Sequence, residues 1–148
     1  MKKAVLLLIP LLLVLESCSS NKRSPNTYLI PQNYVGWVHI IYNQEGLKAI
    51  EKDNGRNIFS IPESGVLKTS APDAEYGVAS DEFYYYDEQN KQQKLDVEKM
   101  IHGQNIGKGE SVDNNGKNNG PTVQSFFVGT ETELQNTPYP GYPDELMK

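Results

Sequence analysis

Residues that could perform catalysis or bind a metal are scarce in this chain. Its 148 residues include one cysteine, Cys18, and two histidines, His39 and His102. A zinc site needs three or four protein ligands, so these residues would have to recruit scattered carboxylates. No pair among them has the spacing that places two ligands on one face of a helix. The sequence therefore predicts no metal ion and no cofactor.

A serine hydrolase would need a serine placed beside a histidine base. The serine of "GESVD" (Gly109–Asp113) lies near a glycine but is not set in a G-x-S-x-G turn. His39 falls in the middle of a predicted strand, where a histidine with a structural role is the default. His39 or His102 could act as the base only if the fold brought it to a serine or carboxylate in an open cleft. We therefore predict no catalytic residue, and an envelope hydrolase acting on glycan or peptide stays the alternative.

Two classes of ligand are disfavoured by composition and motif. The formal charge is −5 and no Lys/Arg cluster is present, whereas nucleic-acid binding depends on concentrated positive charge. The segment "DNNGKNNG" (Asp113–Gly120) lacks the D-x-[DN]-x-[DN]-G order of a calcium loop and its glutamate at position 12. We expect no nucleic-acid partner, and a flexible turn in place of a calcium site.

Aromatic side chains are the remaining candidates for contact with a partner. If Tyr84, Tyr85 and Tyr86 form a strand, successive rings point to opposite faces, so at least one ring faces outward. Amphipathic rings suit contact with a protein or a glycan, and they equally suit the edges of a small β core. Trp37 and these three tyrosines are the predicted surface-contact residues.

The N-terminus has the features of an export signal. Lys2 and Lys3 precede the apolar run Ala4–Leu15, whose twelve residues are too few to span a bilayer but fit the central region of a signal peptide. The small residue Ser17 then stands directly before Cys18. A lone cysteine has no disulfide partner in an oxidising compartment, but a cysteine at a processing point needs none.

The sequence from Leu15 to Cys18 resembles a bacterial lipoprotein signal. Leu15 and Ser17 match the positions three and one before the cysteine, and Glu16 departs from the small or apolar residue usual between them. The resemblance implies removal of residues 1–17 and attachment of diacylglycerol to Cys18, so that the protein is anchored to a membrane of the cell envelope. Ser19 resembles the residue that permits transfer to the outer membrane in a cell with two membranes.

The remaining sequence predicts one small, mainly β domain. We expect a polar tether over residues 18–27, a β domain over 28–135 and a loosely held proline-rich tail over 136–148. The predicted fold is a small antiparallel β-sandwich or sheet with at most one or two short helices. The Gly/Asn-rich segment 103–120 predicts a flexible loop inside the domain.

Local signals place several of its elements. "GWVHIIYN" has apolar residues on both faces, which is typical of a central strand. Asn54-Gly55 favours a type I′ hairpin that sets Asp53 opposite Arg56, and "EFYYYDEQNKQQKL" predicts a second hairpin. Asp96–His102 fits a short helix, although a strand remains open. Thr130 and Glu133 match a capping box.

Three further stretches, "YLIPQNYVGWVHIIYN", "IPESGVLKTS" and "FFVGT", together resemble a family of small bacterial lipoproteins of unknown function. The resemblance covers most of residues 28–130. It implies an envelope-anchored β domain and assigns no catalytic residue. The function expected from the sequence is a membrane-anchored, non-enzymatic module that binds an envelope protein or glycan or has a structural role.

Overall fold

A computed structural model describes residues 21–109, 115–116 and 119–143. Cys18, Ser19, the rest of the predicted signal and the serine of "GESVD" lie outside these residues. The described chain contains nine strands and two short helices. They are β1 (Asn26–Pro31), β2 (Gly36–Ile41), β3 (Glu51–Asp53), β4 (Arg56–Ser60), β5 (Val66–Lys68), β6 (Glu82–Tyr86), β7 (Gln92–Lys94), α1 (Val97–Met100), β8 (Ile101–Lys108), β9 (Thr122–Val128) and α2 (Glu131–Gln135). None of the helices in this part of the chain is long and apolar enough to cross a bilayer.

The strands form two sheets, which confirms a mainly β fold. The first sheet has the order β3-β4-β1-β6-β7 and the second the order β5-β2-β9-β8. The pairing is mixed, not antiparallel as predicted: β1 is parallel to β4 and β6, and β2 is parallel to β5. The reason is that the chain passes from one sheet to the other after β1, so β1 and β2 pair with strands that are distant from them in sequence. Parallel pairs require such crossover connections.

The hydrophobic core lies between the sheets and is centred on Tyr28. The Tyr28 ring is fully buried and stacks on Phe83 with 4.5 Å between ring centroids and on Phe59 at 5.1 Å. Phe126, from the opposite sheet, meets Tyr28 edge-on at 5.2 Å. Strands β1, β4, β6 and β9 each contribute one ring to this cluster, which joins the two sheets.

Both hairpins that the sequence predicted are present in the structure. Asn54 and Gly55 have φ values of 47° and 77°, as a type I′ turn requires, and Asp53 lies opposite Arg56. The second predicted hairpin is also present, with Tyr84 opposite Lys94.

The segment 96–102 combines the two alternatives, because α1 occupies Val97–Met100 and β8 begins at Ile101. The capping box at Thr130 is formed as predicted: its side chain accepts a hydrogen bond from the Glu133 backbone, and the Glu133 carboxylate accepts one from Thr130 N.

Three predicted boundaries differ from the structure. Residues 103–108 belong to strand β8 and not to the loop predicted over 103–120, while residues 110–114 and 117–118 of that stretch lie outside the described residues. The predicted tether 18–27 overlaps the fold, because Lys22 bridges to Val78 and β1 starts at Asn26. The tail is held against the second sheet as far as Pro143, through contacts described below. Each difference arises from a pairing with a segment distant in sequence, which local composition does not encode.

Candidate functional site

Most of the candidate catalytic and binding residues lie on the outer face of the second sheet. His39 on β2 lies opposite Ser125 on β9, and Trp37 lies opposite Phe127. Phe127 in turn lies opposite His102 on β8. Residues directly opposite each other on paired strands point to the same face. Trp37, both histidines and Ser125 therefore share one face, on the side of the sheet away from the Tyr28 core.

The C-terminal tail covers much of this face. Trp37 Nε1 donates a hydrogen bond to the carbonyl oxygen of Thr137 at 3.1 Å. The Tyr139 ring meets the Trp37 ring edge-on, with centroids 4.7 Å apart. Further along, Tyr142 packs against buried Ile41 and Val123. The tail predicted to be loosely held is therefore part of the packed structure up to Pro143.

An open cleft of about 450 Å³ remains between the tail and the edge strand β5. Trp37 and His39 line it from β2, while Ser64 and Val66 line the β5 side. The tail segment Thr137–Pro143 contributes most of the opposite wall. The cleft thus has an aromatic and imidazole floor, one proline-rich wall and an opening to solvent. That lining suits an extended ligand with apolar and hydrogen-bonding groups.

His39 and Ser125 form a close pair beneath the tail. The His39 Nδ1 atom lies 2.9 Å from Ser125 Oγ, and the Tyr139 hydroxyl lies 3.5 Å from the same Oγ. Ser125 is only 2% exposed and His39 4%. Burial lowers the pKa of His39, and no acidic group among the described residues opposes that shift. A neutral imidazole beside a hydroxyl is half of a hydrolase triad, but here the hydroxyl is covered, and no carboxylate in the described part of the chain orients the ring.

His102 is separate from this pair. Its Nδ1 lies 3.6 Å from a carboxylate oxygen of Glu131, and its Nε2 lies 3.1 Å from the carbonyl oxygen of Lys99. These contacts connect β8 to α2 and to the end of α1. His102 therefore contacts a carboxylate, and this contact connects β8 to α2. Among the hydrogen bonds of the described residues, none joins His102 to a serine.

The predicted contact residues are divided between the two sheets. Trp37 lines the cleft, whereas Tyr84, Tyr85 and Tyr86 lie on β6 of the first sheet and are all half-buried. The Tyr85 hydroxyl donates to the carbonyl oxygen of Tyr34 at 2.8 Å, and burial raises its pKa. The Lys94 ammonium lies 5.8 Å from the Tyr84 ring centroid. The three tyrosines do not join Trp37 in one surface.

Sequence reasoning missed Ser125, Tyr139 and Tyr142 as parts of this face. Period-2 alternation in "TVQSFFVGT" places Ser125 and Phe127 together, but it does not indicate that β9 pairs with β2. Among the described residues, no three His, Cys, Asp or Glu side chains come close enough to hold a metal ion.

Comparison with known proteins identifies a family and a fold. A family model described as "Family of unknown function (DUF6843)" matches residues 22–137. The 2.75 Å crystal structure of a protein named "Putative Lipoprotein from Bacillus anthracis" superimposes with a TM-score of 0.64 at 21% identity, covering 82% of this chain and 87% of that chain. At that identity the likeness shows a shared fold. No curated protein matches the sequence.

Proposed function

Because the chain belongs to the family of unknown function DUF6843, whose description assigns no activity, we propose that it is a lipid-anchored, non-enzymatic binding protein of the bacterial cell envelope. The anchor is Cys18, and the binding site is the cleft beside Trp37. The ligand class that fits this cleft best is an extended, proline-containing segment of another envelope protein. In a host with two membranes, Ser19 directs the protein to the outer membrane.

The anchor is supported by the sequence and by the relative of shared fold. Leu15, Ser17 and Cys18 occupy the positions of a lipoprotein signal. The similar Bacillus anthracis structure carries the name of a lipoprotein. Two or three acyl chains provide stable membrane attachment, since each buried methylene contributes about 0.8 kcal/mol.

A substitution at Cys18 tests the anchor. Cys18→Ser removes the thiol that would carry diacylglycerol, so the variant should lose palmitate labelling and leave the membrane fraction or accumulate unprocessed. Ser20→Ala is the matched control and should label and fractionate as the wild type does. Membrane partition of the Cys18→Ser variant equal to that of the wild type, with no label in either, would refute the anchor.

The observation that supports the binding site is the open, aromatic-lined cleft against which the chain's own tail lies. Pro138, Pro140 and Pro143 line it, next to Trp37. Grooves lined by aromatic side chains dock proline-rich segments, because such segments are already extended and lose little entropy on binding. The tail therefore supports a proline-containing segment as the ligand of this face.

Trp37 makes the binding proposal directly measurable, because it is the only tryptophan in the chain. Titration with a synthetic peptide copying Thr137–Pro143 should produce a saturable change in tryptophan emission. Val66→Arg places a long charged side chain at the cleft and should weaken that response about tenfold or more. Leu47→Arg, at an exposed position that does not line the cleft, should not weaken it. A response to soluble glycan fragments but not to the peptide would show that the ligand of the cleft is a glycan. No response to either ligand would refute the proposal that the cleft is a binding site.

The alternative function, a hydrolase, is favoured by one contact, the 2.9 Å separation of His39 Nδ1 and Ser125 Oγ. A fluorophosphonate probe labels an activated serine and distinguishes the two functions. We expect no labelling, because Ser125 is covered by Tyr139. Labelling of the wild type that disappears in Ser125→Ala would establish the hydrolase instead.

A further inference from the structure

The described chain begins at a junction with the loop between β5 and β6. The backbone N–H of Val78 donates to the carbonyl oxygen of Asn21 at 2.9 Å, and Arg23 N donates to Val78 O at 3.4 Å. Gly77 packs so closely that a Cβ atom there would lie 2.4 Å from the Asn21 oxygen. Residues 21–23 are therefore fixed to this loop.

A partly buried ion pair holds the junction to the first sheet. The Arg23 guanidinium binds both carboxylate oxygens of Asp81 at 2.9 and 2.6 Å, and the two side chains are only 15% and 17% exposed. Asp81 also accepts a hydrogen bond from the backbone N–H of Asn26, the first residue of β1. Hydrogen bonding to Asp81 raises the pKa of Arg23. The chain thus enters the fold in a defined direction.

Two large hydrophobic side chains project from this junction. Tyr76 is 63% exposed and Val78 65%, more than any other large hydrophobic residue in the described chain. They flank Gly77, and we call Tyr76 and Val78 the junction patch. A tyrosine and a valine so exposed bury little of their surface on folding, and because they lie beside each other they offer one apolar contact surface.

The length of the chain before Asn21 limits what can cover this patch. Cys18 lies three residues before Asn21, and three extended residues reach about 11 Å at most. The headgroup region on each side of a bilayer is about 5–8 Å thick. With its acyl chains inserted, Cys18 must therefore keep Asn21, and the loop bonded to it, at the membrane surface.

We infer that the junction patch inserts into the headgroup region of the membrane that holds the Cys18 anchor, an inference that rests on the proposed lipid anchor. The tyrosine ring suits this region because its apolar body and polar hydroxyl match the boundary between acyl chains and water. The patch adds a second contact to the acyl chains and so fixes the orientation of the domain. Parallel strands β1, β4 and β6 all begin at this end, so their other ends point away from the bilayer.

The charges around the junction patch favour an amphipathic contact over an electrostatic one. Asp81 pairs with Arg23, the negative charge of Glu75 acts on the same guanidinium, and Lys22 is the one further cation within the described residues 21–26. Without a cluster of free cations, attraction to anionic lipid contributes little. The contact should therefore form on neutral phosphatidylcholine vesicles and change little with salt.

Depth-dependent quenching tests the inference on the full-length lipidated protein. In Val78→Cys, a fluorophore attached to the new thiol should be quenched by phosphatidylcholine vesicles that carry nitroxide headgroups. Val35→Cys is the matched control, since Val35 is also exposed but lies in the turn that follows the far end of β1. We expect quenching at least threefold greater at position 78 than at position 35. Equal quenching at the two positions on vesicle-bound protein would overturn the inference.

The same preparation separates failure of the inference from failure of the anchor. A lipidated Cys18 has no free thiol, so wild-type protein should take up no fluorophore and should float with the vesicles. Wild-type protein that labels at Cys18 and fails to float would overturn the anchor and this inference together. Protein that floats while the label at position 78 stays unquenched would overturn the inference alone.

Discussion

At the scale of single residues, the best-defined chemistry in the molecule is structural. The Tyr28 hydroxyl accepts hydrogen bonds from Asn26 Nδ2 at 2.9 Å and from Gln124 Nε2 at 2.8 Å. The Tyr42 hydroxyl donates to Gln124 Oε1 at 3.0 Å. These buried groups belong to different sheets, so the network fixes how one sheet lies on the other. Burial raises the pKa of both tyrosines, which keeps them neutral.

Removal of the Tyr28 hydroxyl should lower the free energy of unfolding, although it deletes only one atom besides hydrogen. Tyr28→Phe leaves the ring stack intact but leaves two buried amide groups without an acceptor, which typically destabilises a fold by about 1–3 kcal/mol. Tyr76→Phe removes an exposed hydroxyl and should change the free energy of unfolding by less than about 0.5 kcal/mol. Urea denaturation of both variants measures the difference, and equal stability would show that the network contributes nothing.

His39 should make stability depend on pH between about 5 and 7. Burial lowers its pKa in the folded protein below the value of about 6.5 for an unfolded chain. Below pH 6.5 the unfolded state therefore binds a proton more readily, and the free energy of unfolding falls as the pH falls. Urea denaturation from pH 7 to 5 should show this loss in the wild type and a shallower loss in His39→Gln. A slope unchanged by the substitution would exclude His39 as its source.

At the scale of elements, the helix that precedes the tail depends on its cap. The Thr130 side chain accepts from Glu133 N at 3.3 Å, and the backbone N–H of Thr130 donates to Glu133 Oε2 at 2.7 Å. The hydrogen bonds that the Thr130 backbone N–H and hydroxyl donate to the Glu133 carboxylate lower the pKa of Glu133. Because α2 has only five residues, the cap supplies a large share of its stability.

Thr130→Ala should therefore destabilise the protein by about 1 kcal/mol, the usual value for loss of an N-cap side chain. Thr132→Ala, on an exposed position inside the same helix, should be neutral to within about 0.5 kcal/mol. Thermal or urea unfolding compares the two. Equal effects would mean that helix propensity, and not the cap, determines the stability of α2.

The elements that were predicted correctly are those whose structure depends on residues close together in the sequence. The Asn54-Gly55 turn needs two residues with positive φ, and the capping box at Thr130 needs two side chains three residues apart. The parallel pairing of β1 could not be predicted, because it depends on the route the chain takes between the sheets. Strand β8 was mistaken in part for a loop, since an edge strand with a bulge after His102 pairs on one side only and tolerates Gly and Asn.

In the candidate site, too, features set by local sequence could be predicted and features set by long-range pairing could not. Trp37 and His39 were expected in one strand, and strand alternation puts residues two apart on one face. The partner of His39 could not be predicted, because Ser125 lies 86 residues away and reaches it only through the register of β2 and β9. Tyr139 was assigned to a loose tail, since proline-rich composition does not show what the segment packs against.

At the scale of the whole molecule, the two proposals concern separate surfaces of the sandwich. The junction patch lies where the described chain enters the fold. The cleft at Trp37 lies on the outer face of the second sheet, and the tail is an integral part of it. Anchoring and binding are thus assigned to separate surfaces, which allows each to be tested without disturbing the other.

The tail should contribute measurably to the stability of the entire domain. Truncation after Asn136 removes the acceptor of Trp37 Nε1 at Thr137 and the rings of Tyr139 and Tyr142 that cover the second sheet. Loss of one hydrogen bond and two partly buried rings should lower the free energy of unfolding by about 2–4 kcal/mol. Solvent would then reach Trp37, so its emission should shift to longer wavelength.

Truncation after Pro143 provides the control, because it keeps Thr137, Tyr139 and Tyr142 and removes only the last five residues of the sequence. This shorter deletion should leave tryptophan emission unchanged and stability within about 0.5 kcal/mol of the full chain. If both truncated proteins kept the emission of the full-length chain, the tail would not cover Trp37 in solution. The cleft would then lack its proline-rich wall, and the choice of an extended peptide as its ligand would lose its basis.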